Sequence, residues 1–311
     1  MIHPEVKKIA HLTGHTSSIY ALAEGFKENF FFSGGSDKII AEWNLETLRQ
    51  ENFAIKLEAP AYSFVYIKER GIILAGNGTG GIHVIDLEKK KEIKLLQQHT
   101  APVFDLKYAI NHHSFYAASA DGSVSVSSLE TLSHIKTVKL CEQKIRDLSI
   151  NREQSQMAIA CGDSSVRIFD LSSFTEIFSF EAHRLSANAV KYHPDGKHLI
   201  TGGKDAHLNI WNIADNYRIV QSIPAHNYAI YSIEFSPDNK LFATASRDKT
   251  IKIWDARTFE LLLRIDKSHF NGHINSVNKL LWSKYKNYLI SAGDDRTIMV
   301  WEINGKTNGE N

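Results

Sequence analysis

Along most of the chain, apolar and polar residues alternate with a period of two. In AIYSIEFS, Ile230, Ser232 and Glu234 interleave with Tyr231, Ile233 and Phe235; in TIKIWD, Ile251 and Ile253 interleave with Lys252 and Trp254. Such alternation places successive side chains on opposite faces of an extended strand. Between these segments lies KLFATAS, a short apolar run that ends in small residues before a polar turn. SPDN (236–239) and HPDG (193–196) read as tight turns. A weaker fourth segment, ELLLRI (260–265), follows. Helical periodicity is nearly absent, so the pattern predicts short strands in groups of four, joined by turns.

The groups recur. SDKIIAEWN, KDAHLNIWN, RDKTIKIWD and DDRTIMVWE share a template with Trp six residues after Asp: Asp37/Trp43, Asp205/Trp211, Asp248/Trp254 and Asp295/Trp301. Weaker copies pair Thr79 with Ile85, Asp121 with Ser127 and Asp163 with Phe169. The register positions 43, 85, 127, 169, 211, 254 and 301 are spaced by 42, 42, 42, 42, 43 and 47 residues. A second landmark lies 28 residues before each of them: His15, Leu57, His99, Cys141, His183, His226 and His273. The interior of the unit keeps its length while the connection to the next His varies, as a structural repeat with a tolerant surface loop should.

These residues resemble the WD-repeat family of β-propellers: Gly14-His15 and Gly272-His273 with Trp254-Asp255 match its signature, over about residues 5–303. The resemblance implies an all-β, seven-bladed propeller of four-stranded antiparallel blades. Each sequence repeat would supply the outer strand of one blade and three strands of the next, so that VKKIAHL (6–12) completes the seventh blade beside residues 299–303. A single domain over 1–304 and a disordered tail over 305–311 follow as expectations. So does a buried network in which the His bonds the turn Asp, a Ser or Thr joins it, and the Trp bonds the Ser or Thr. Four blades carry the set: His15–Ser33–Asp37–Trp43, His183–Thr201–Asp205–Trp211, His226–Thr244–Asp248–Trp254 and His273–Ser291–Asp295–Trp301. A His–Asp–Ser trio can also be read as a catalytic triad. Its fourfold recurrence in one register favours architecture, because catalysis needs a single site. The middle blades depart from the set: Leu57, Ala75, Thr79 and Ile85 in blade 2, Ala117 and Ser127 in blade 3, Cys141 and Phe169 in blade 4. Residues 52–180 are therefore expected to be the softer part.

Five residues after each His position, a side chain is expected at the mouth of the central channel: Tyr20, Tyr62, Phe104, Arg146, Asn188, Tyr231 and Asn278. Lys204 and Arg247, each just before a turn Asp, add positive charge. Tyr and Arg are enriched in binding hot spots, and an acidic segment with an apolar anchor would suit such a mouth. The alternative is that these aromatics merely plug the channel. If the inner strands were shifted by one residue, every one of these side chains would face the other way. His112 and His113 in NHHS read as solvated turn residues, EKKKEIK (88–94) as a solvated edge, and DKSHFNGH (266–273) as a secondary contact loop. GNGTGG (76–81) is Gly-rich, but no helix follows it to supply the N-terminal donors of a phosphate loop.

Composition narrows the function. Of 311 residues, 43% are hydrophobic and 23% charged, which excludes a wholly disordered chain. Lys and Arg total 36 against 35 acids, a net charge of +1, so bulk electrostatics give no support to nucleic-acid binding. Two cysteines make no disulfide framework, and no signal-type or membrane-spanning apolar run occurs, so a reduced, cytoplasmic setting is expected. The favoured reading is a non-catalytic scaffold for protein or peptide segments, a monomer that joins a larger complex, with no metal or cofactor and no membrane. The competing readings are a propeller-based hydrolase using the channel and a nucleic-acid or ribosome-associated module. Against the hydrolase, the inferred mouth positions include no Asp, Glu or His.

Overall fold

The computed structural model describes residues 2–307, and the side chains of residues 4–304. Its strands form seven four-stranded antiparallel sheets, the blades of a β-propeller: residues 19–56, 61–97, 103–139, 145–181, 187–224, 230–265, and 277–307 together with 2–12. Blade 3 shows the order, with Val103–Ala109, Ser114–Ser119, Ser123–Ser128 and His134–Lys139 side by side. In blade 7 the strand Ile2–Leu12 lies antiparallel to Ile298–Thr307, pairing Val6 with Ile303 and Lys8 with Trp301. That strand runs into the stretch expected as a tail; residues 308–311 lie outside the described residues.

The chain divides into two compact units. One comprises Met1–Pro60 and Tyr231–Asn311 and contains blades 1, 6 and 7. Its apolar clusters join neighbouring sheets: Ile19, Phe31 and Trp43 with Ile290 and Val300, and Ile251 and Ile253 with Val277, Leu280 and Trp301. The other unit, Ala61–Ile230, contains blades 2–5 and is built alike, with Leu74 and Val84 against Leu106 and Phe115, and Ala160 and Ile168 against Val190 and Leu199.

The position of a strand in its blade explains its sequence pattern. LFATAS (Leu241–Ser246) is buried throughout, so it reads as a continuous apolar or small run. Outer strands such as Thr175–Glu181 are mostly exposed, and their signal is correspondingly weak. Among the described residues helix is confined to single turns such as Lys267–Phe270, where the Asp266 carboxylate accepts the His269 N–H at 2.9 Å. Among the described residues no helix is long and apolar enough to cross a membrane.

Candidate partner-docking site

The innermost strand of a blade has a recurring irregularity. Its register with the second strand shifts between Ile19 and Ala21, Ala61 and Ser63, Val103 and Asp105, Ile145 and Asp147, Ala187 and Ala189, and Val277 and Lys279. The skipped residues are Tyr20, Tyr62, Phe104, Arg146, Asn188 and Asn278. A bulge leaves one residue out of the ladder and re-aims its side chain, often at a functional edge. All of these residues except buried Asn188 are partly exposed, as is Tyr231 in blade 6.

Within residues 61–230 three of them touch. The Tyr62 and Phe104 rings meet edge to face at 5.5 Å and 82°. The Arg146 guanidinium carbon lies 4.8 Å from the Phe104 centroid, and the Lys144 ammonium lies 6.0 Å from it. A cation over an aromatic face is worth about 0.5–2 kcal/mol and holds the long Arg side chain in one pose. Asn188 accepts from the Ser186 hydroxyl at 2.9 Å, and Lys204 is exposed. In the unit that includes residues 231–311, Ser36 donates to the Tyr20 hydroxyl at 3.2 Å, and the Asn278 amide donates to Ile19 O at 3.0 Å and to Asp294 at 2.8 Å. Arg247 is exposed there.

The residue after the bulge ties one blade to the next. Asp105 accepts the Leu148 N–H at 3.0 Å and Asp147 accepts the Val190 N–H at 2.9 Å, while the Ser63 hydroxyl donates to Val103 O at 2.9 Å. These carboxylates satisfy backbone donors at the edge of the neighbouring sheet, where no further strand is present. The sequence signal was available: a short polar residue six places after the His position in blades 2, 3, 4 and 6 (Ser63, Asp105, Asp147, Ser232).

Behind the bulges lie the polar networks. His15 Nδ1 meets Asp37 at 2.7 Å, His15 Nε2 meets Ser33 Oγ at 2.7 Å, and the Trp43 indole donates to Ser33 Oγ at 2.6 Å. His183, Thr201, Asp205 and Trp211 form the same chain at 2.9–3.1 Å, as do His273, Ser291, Asp295 and Trp301 at 2.8–2.9 Å. In blade 6 the Trp254 indole donates to Thr244 at 3.0 Å, and His226 is buried; Asp248 accepts from the Thr250 hydroxyl at 2.6 Å. The donors fix the protons. Asp accepts, so the imidazole donates to it through Nδ1, and the Ser or Thr oxygen that meets Nε2 also receives the indole N–H. Burial opposes ionisation of Asp205 and Asp295. The partner His and the backbone N–H groups of Arg184 and Ile274 outweigh it and hold both carboxyls down at about 2.

The degenerate blades hold substitutes that position-by-position reading missed. In blade 3, His99 keeps Asp121 at 3.0 Å and finds Ser125 at 2.9 Å, a hydroxyl supplied by the third strand in place of Ala117. At the Trp position, Ser127 instead accepts from the Gln98 amide at 2.8 Å. In blade 2, Asn77 takes the role of the turn acid, accepting the N–H groups of Thr79 and Gly81 at 2.9 and 2.8 Å and donating to buried His83 at 3.0 Å; His83 donates in turn to Glu92 at 2.8 Å. The Gly-rich turn therefore spends its amides on Asn77. Gly80 there has φ +91°, and a Cβ on it would collide with His99 O. In blade 4, Asp163 pairs with Arg167 at 3.2 Å, and Cys141 and Cys161 stand where a His ring lies elsewhere.

The remaining candidates have ordinary partners. His112 bonds Gln154 O at 2.6 Å, Lys89 pairs with Asp86 at 2.7 Å, and exposed His113 lies 3.7 Å from Glu130. His193 and Asp195 of the HPDG turn gather with His198 at the start of the next strand, and His193 Nδ1 accepts the Asp195 N–H at 3.0 Å.

This constellation, seven four-stranded sheets with a bulged inner strand in six of them and a recurring His–Asp network, defines a repeat propeller. The family model for "WD domain, G-beta repeat" matches residues 6–44, 90–126, 174–212, 217–255 and 265–302, well over half of the sequence, and the chain belongs to the WD40-repeat family. The longest stretches left unmatched contain most of blade 2 and most of blade 4. A segment of 124 residues, 40% of this chain, is 27% identical to Protein HIRA of Dictyostelium discoideum and spans 8% of that protein.

Proposed function

We propose that this chain is a non-catalytic scaffold that docks protein or peptide segments on the bulge residues of its inner strands. The observation that carries this reading is the placement of Tyr20, Tyr62, Phe104, Arg146, Asn188 and Asn278 at the same bulge in six blades. An aromatic lifted out of its ladder gives a contact surface a rigid, half-exposed anchor. In the unit of residues 61–230 the anchor is the Tyr62–Phe104–Arg146 stack, with exposed Lys204 adding positive charge. In the other unit Tyr20, Tyr231 and Asn278 occupy the equivalent positions, with exposed Arg247. By analogy with WD-repeat proteins, whose channel mouth commonly docks peptides, the partner is a protein segment with an acidic group beside an apolar anchor. This reading needs no cofactor and no nucleic acid, and it places the chain in the cytoplasm as a monomer that joins a larger complex.

The test is a crosslinking pull-down from native lysate with wild-type protein and a folded Phe104→Ala, Arg146→Glu, Tyr231→Ala variant. A partner captured by the wild type and lost from the variant supports the assignment. A partner held equally by both moves docking away from the bulges. No partner for either bait counts against a scaffold.

A further inference from the structure

In blade 5 the space beside the turn acid is filled by the His183 ring, and the facing residue two places before that acid is Gly203. A Cβ on Gly203 would collide with His183 Nδ1 and Asp205 Oδ1. Blade 4 divides the same space differently. The His position carries the smaller Cys141, and the position two before Asp163 carries Cys161. The two sulfurs and an Asp163 oxygen all lie within 4.8 Å of one another. Cys161 is fully buried at the end of the strand Gln156–Cys161; Cys141 is partly exposed in the loop between His134–Lys139 and Ile145–Ile150. One thiol is therefore open to a small reagent and sits on a segment outside any ladder, while its partner waits behind it.

We propose that Cys141 and Cys161 are a peroxide-responsive thiol pair that closes to an intrachain disulfide. The Cys141 thiolate attacks one oxygen of hydrogen peroxide; the S–O bond forms, the O–O bond breaks, and the departing hydroxide takes a proton to become water. The Cys161 sulfur then attacks the sulfenic sulfur; the S–S bond forms, the S–O bond breaks, and the released hydroxide leaves as water with the Cys161 proton. Two thiols are oxidised by two electrons and one peroxide is reduced to two waters.

The surroundings favour this order. The neighbouring Cys161 thiol, with the Gln143 backbone and the Arg167 charge, outweighs burial and the Asp163 charge and brings Cys141 down to about 7. The proximity of Cys141, together with burial, pushes Cys161 up. The exposed sulfur is thus the nucleophile and the buried one the resolving thiol. A disulfide needs sulfurs at about 2.05 Å, and the approach falls to the 140–144 loop. The Arg146 bulge follows two residues beyond that loop, so the bridge would tether the approach to one of the docking side chains.

The test is peroxide titration of the purified chain, then denaturation, alkylation with N-ethylmaleimide and intact-mass measurement. Closure removes about 2 Da, blocks alkylation at both cysteines and yields one crosslinked 141–161 peptide within the monomer. Cys161→Ser should leave a sulfenic acid on Cys141 that dimedone traps, and Cys141→Ser should leave Cys161 unoxidised. Sulfinic acid on Cys141 with Cys161 still alkylatable would overturn the proposal. So would a disulfide between two copies, or oxidation no faster than that of a cysteine in an unstructured peptide. The wild-type mass result decides the question even if a variant misfolds.

Discussion

At the scale of single residues, blades 1, 5 and 7 turn on one chain of hydrogen bonds: indole, hydroxyl, imidazole, carboxylate. The indole, hydroxyl and imidazole are buried, so removing one of them strands its neighbour, at a cost of about 1–3 kcal/mol. The carboxylates also make stability depend on pH. Asp205 and Asp295 are held at about 2, below the ordinary 3.8. A depressed acid stabilises the fold fully above its unfolded value and loses that contribution as pH falls towards the folded value. The urea midpoint should therefore drop between pH 4 and pH 2, and Asp295→Asn should flatten that drop while lowering the midpoint at neutral pH. An equal slope in the variant would mean that other groups carry the acid transition.

At the scale of the blade, the structure redraws the soft region that sequence reading placed over residues 52–180. Blade 3 recovers its hydroxyl through Ser125, and blade 2 builds Asn77–His83–Glu92. Blade 4 has no His at all and leaves Arg167 Nε–H buried without a partner. Backbone amides of residues 145–181 should thus exchange faster than those of blades 5 and 7, measured by hydrogen–deuterium exchange; protection as uniform in blade 4 as in blades 2 and 3 would contradict this. The substitutes escaped the sequence because a template compares like with like. Ser125 lies on a different strand from Ala117, and only the packing of the His99 ring brings its hydroxyl to the same nitrogen. The bulges escaped for a related reason: each lies at the second residue of its strand, so the phase of the alternation shifts after a single residue and the shift cannot be read from the pattern. The positions of the docking candidates were nonetheless legible, because a fixed offset of five from the His position survives any local twist.

At the scale of the whole molecule, the seven blades and the closing strand were legible because spacing is a global property that degenerate copies still obey. The division into units was not, since residues 60/61 and 230/231 interrupt no repeat signal. Blade 7 depends on a strand from the other end of the chain. Deleting residues 2–8 would leave Ile298–Thr307 as an open edge over most of its length. An open edge invites pairing between molecules. The truncated protein should unfold at lower urea and scatter light increasingly with concentration; unchanged behaviour would mean that the closing strand is dispensable.

The pairing of Leu12 with Ile298 also sets a clock. On a ribosome the first strand emerges 286 residues before its partner. At about 5–20 residues per second it waits roughly 15–60 s with nothing to pair with. During that interval every nascent chain displays the same unsatisfied ladder, and neighbouring ribosomes on one message display it side by side. The open backbone ladder that lets residues 2–12 close blade 7 is therefore open to any extended segment until synthesis reaches residue 298.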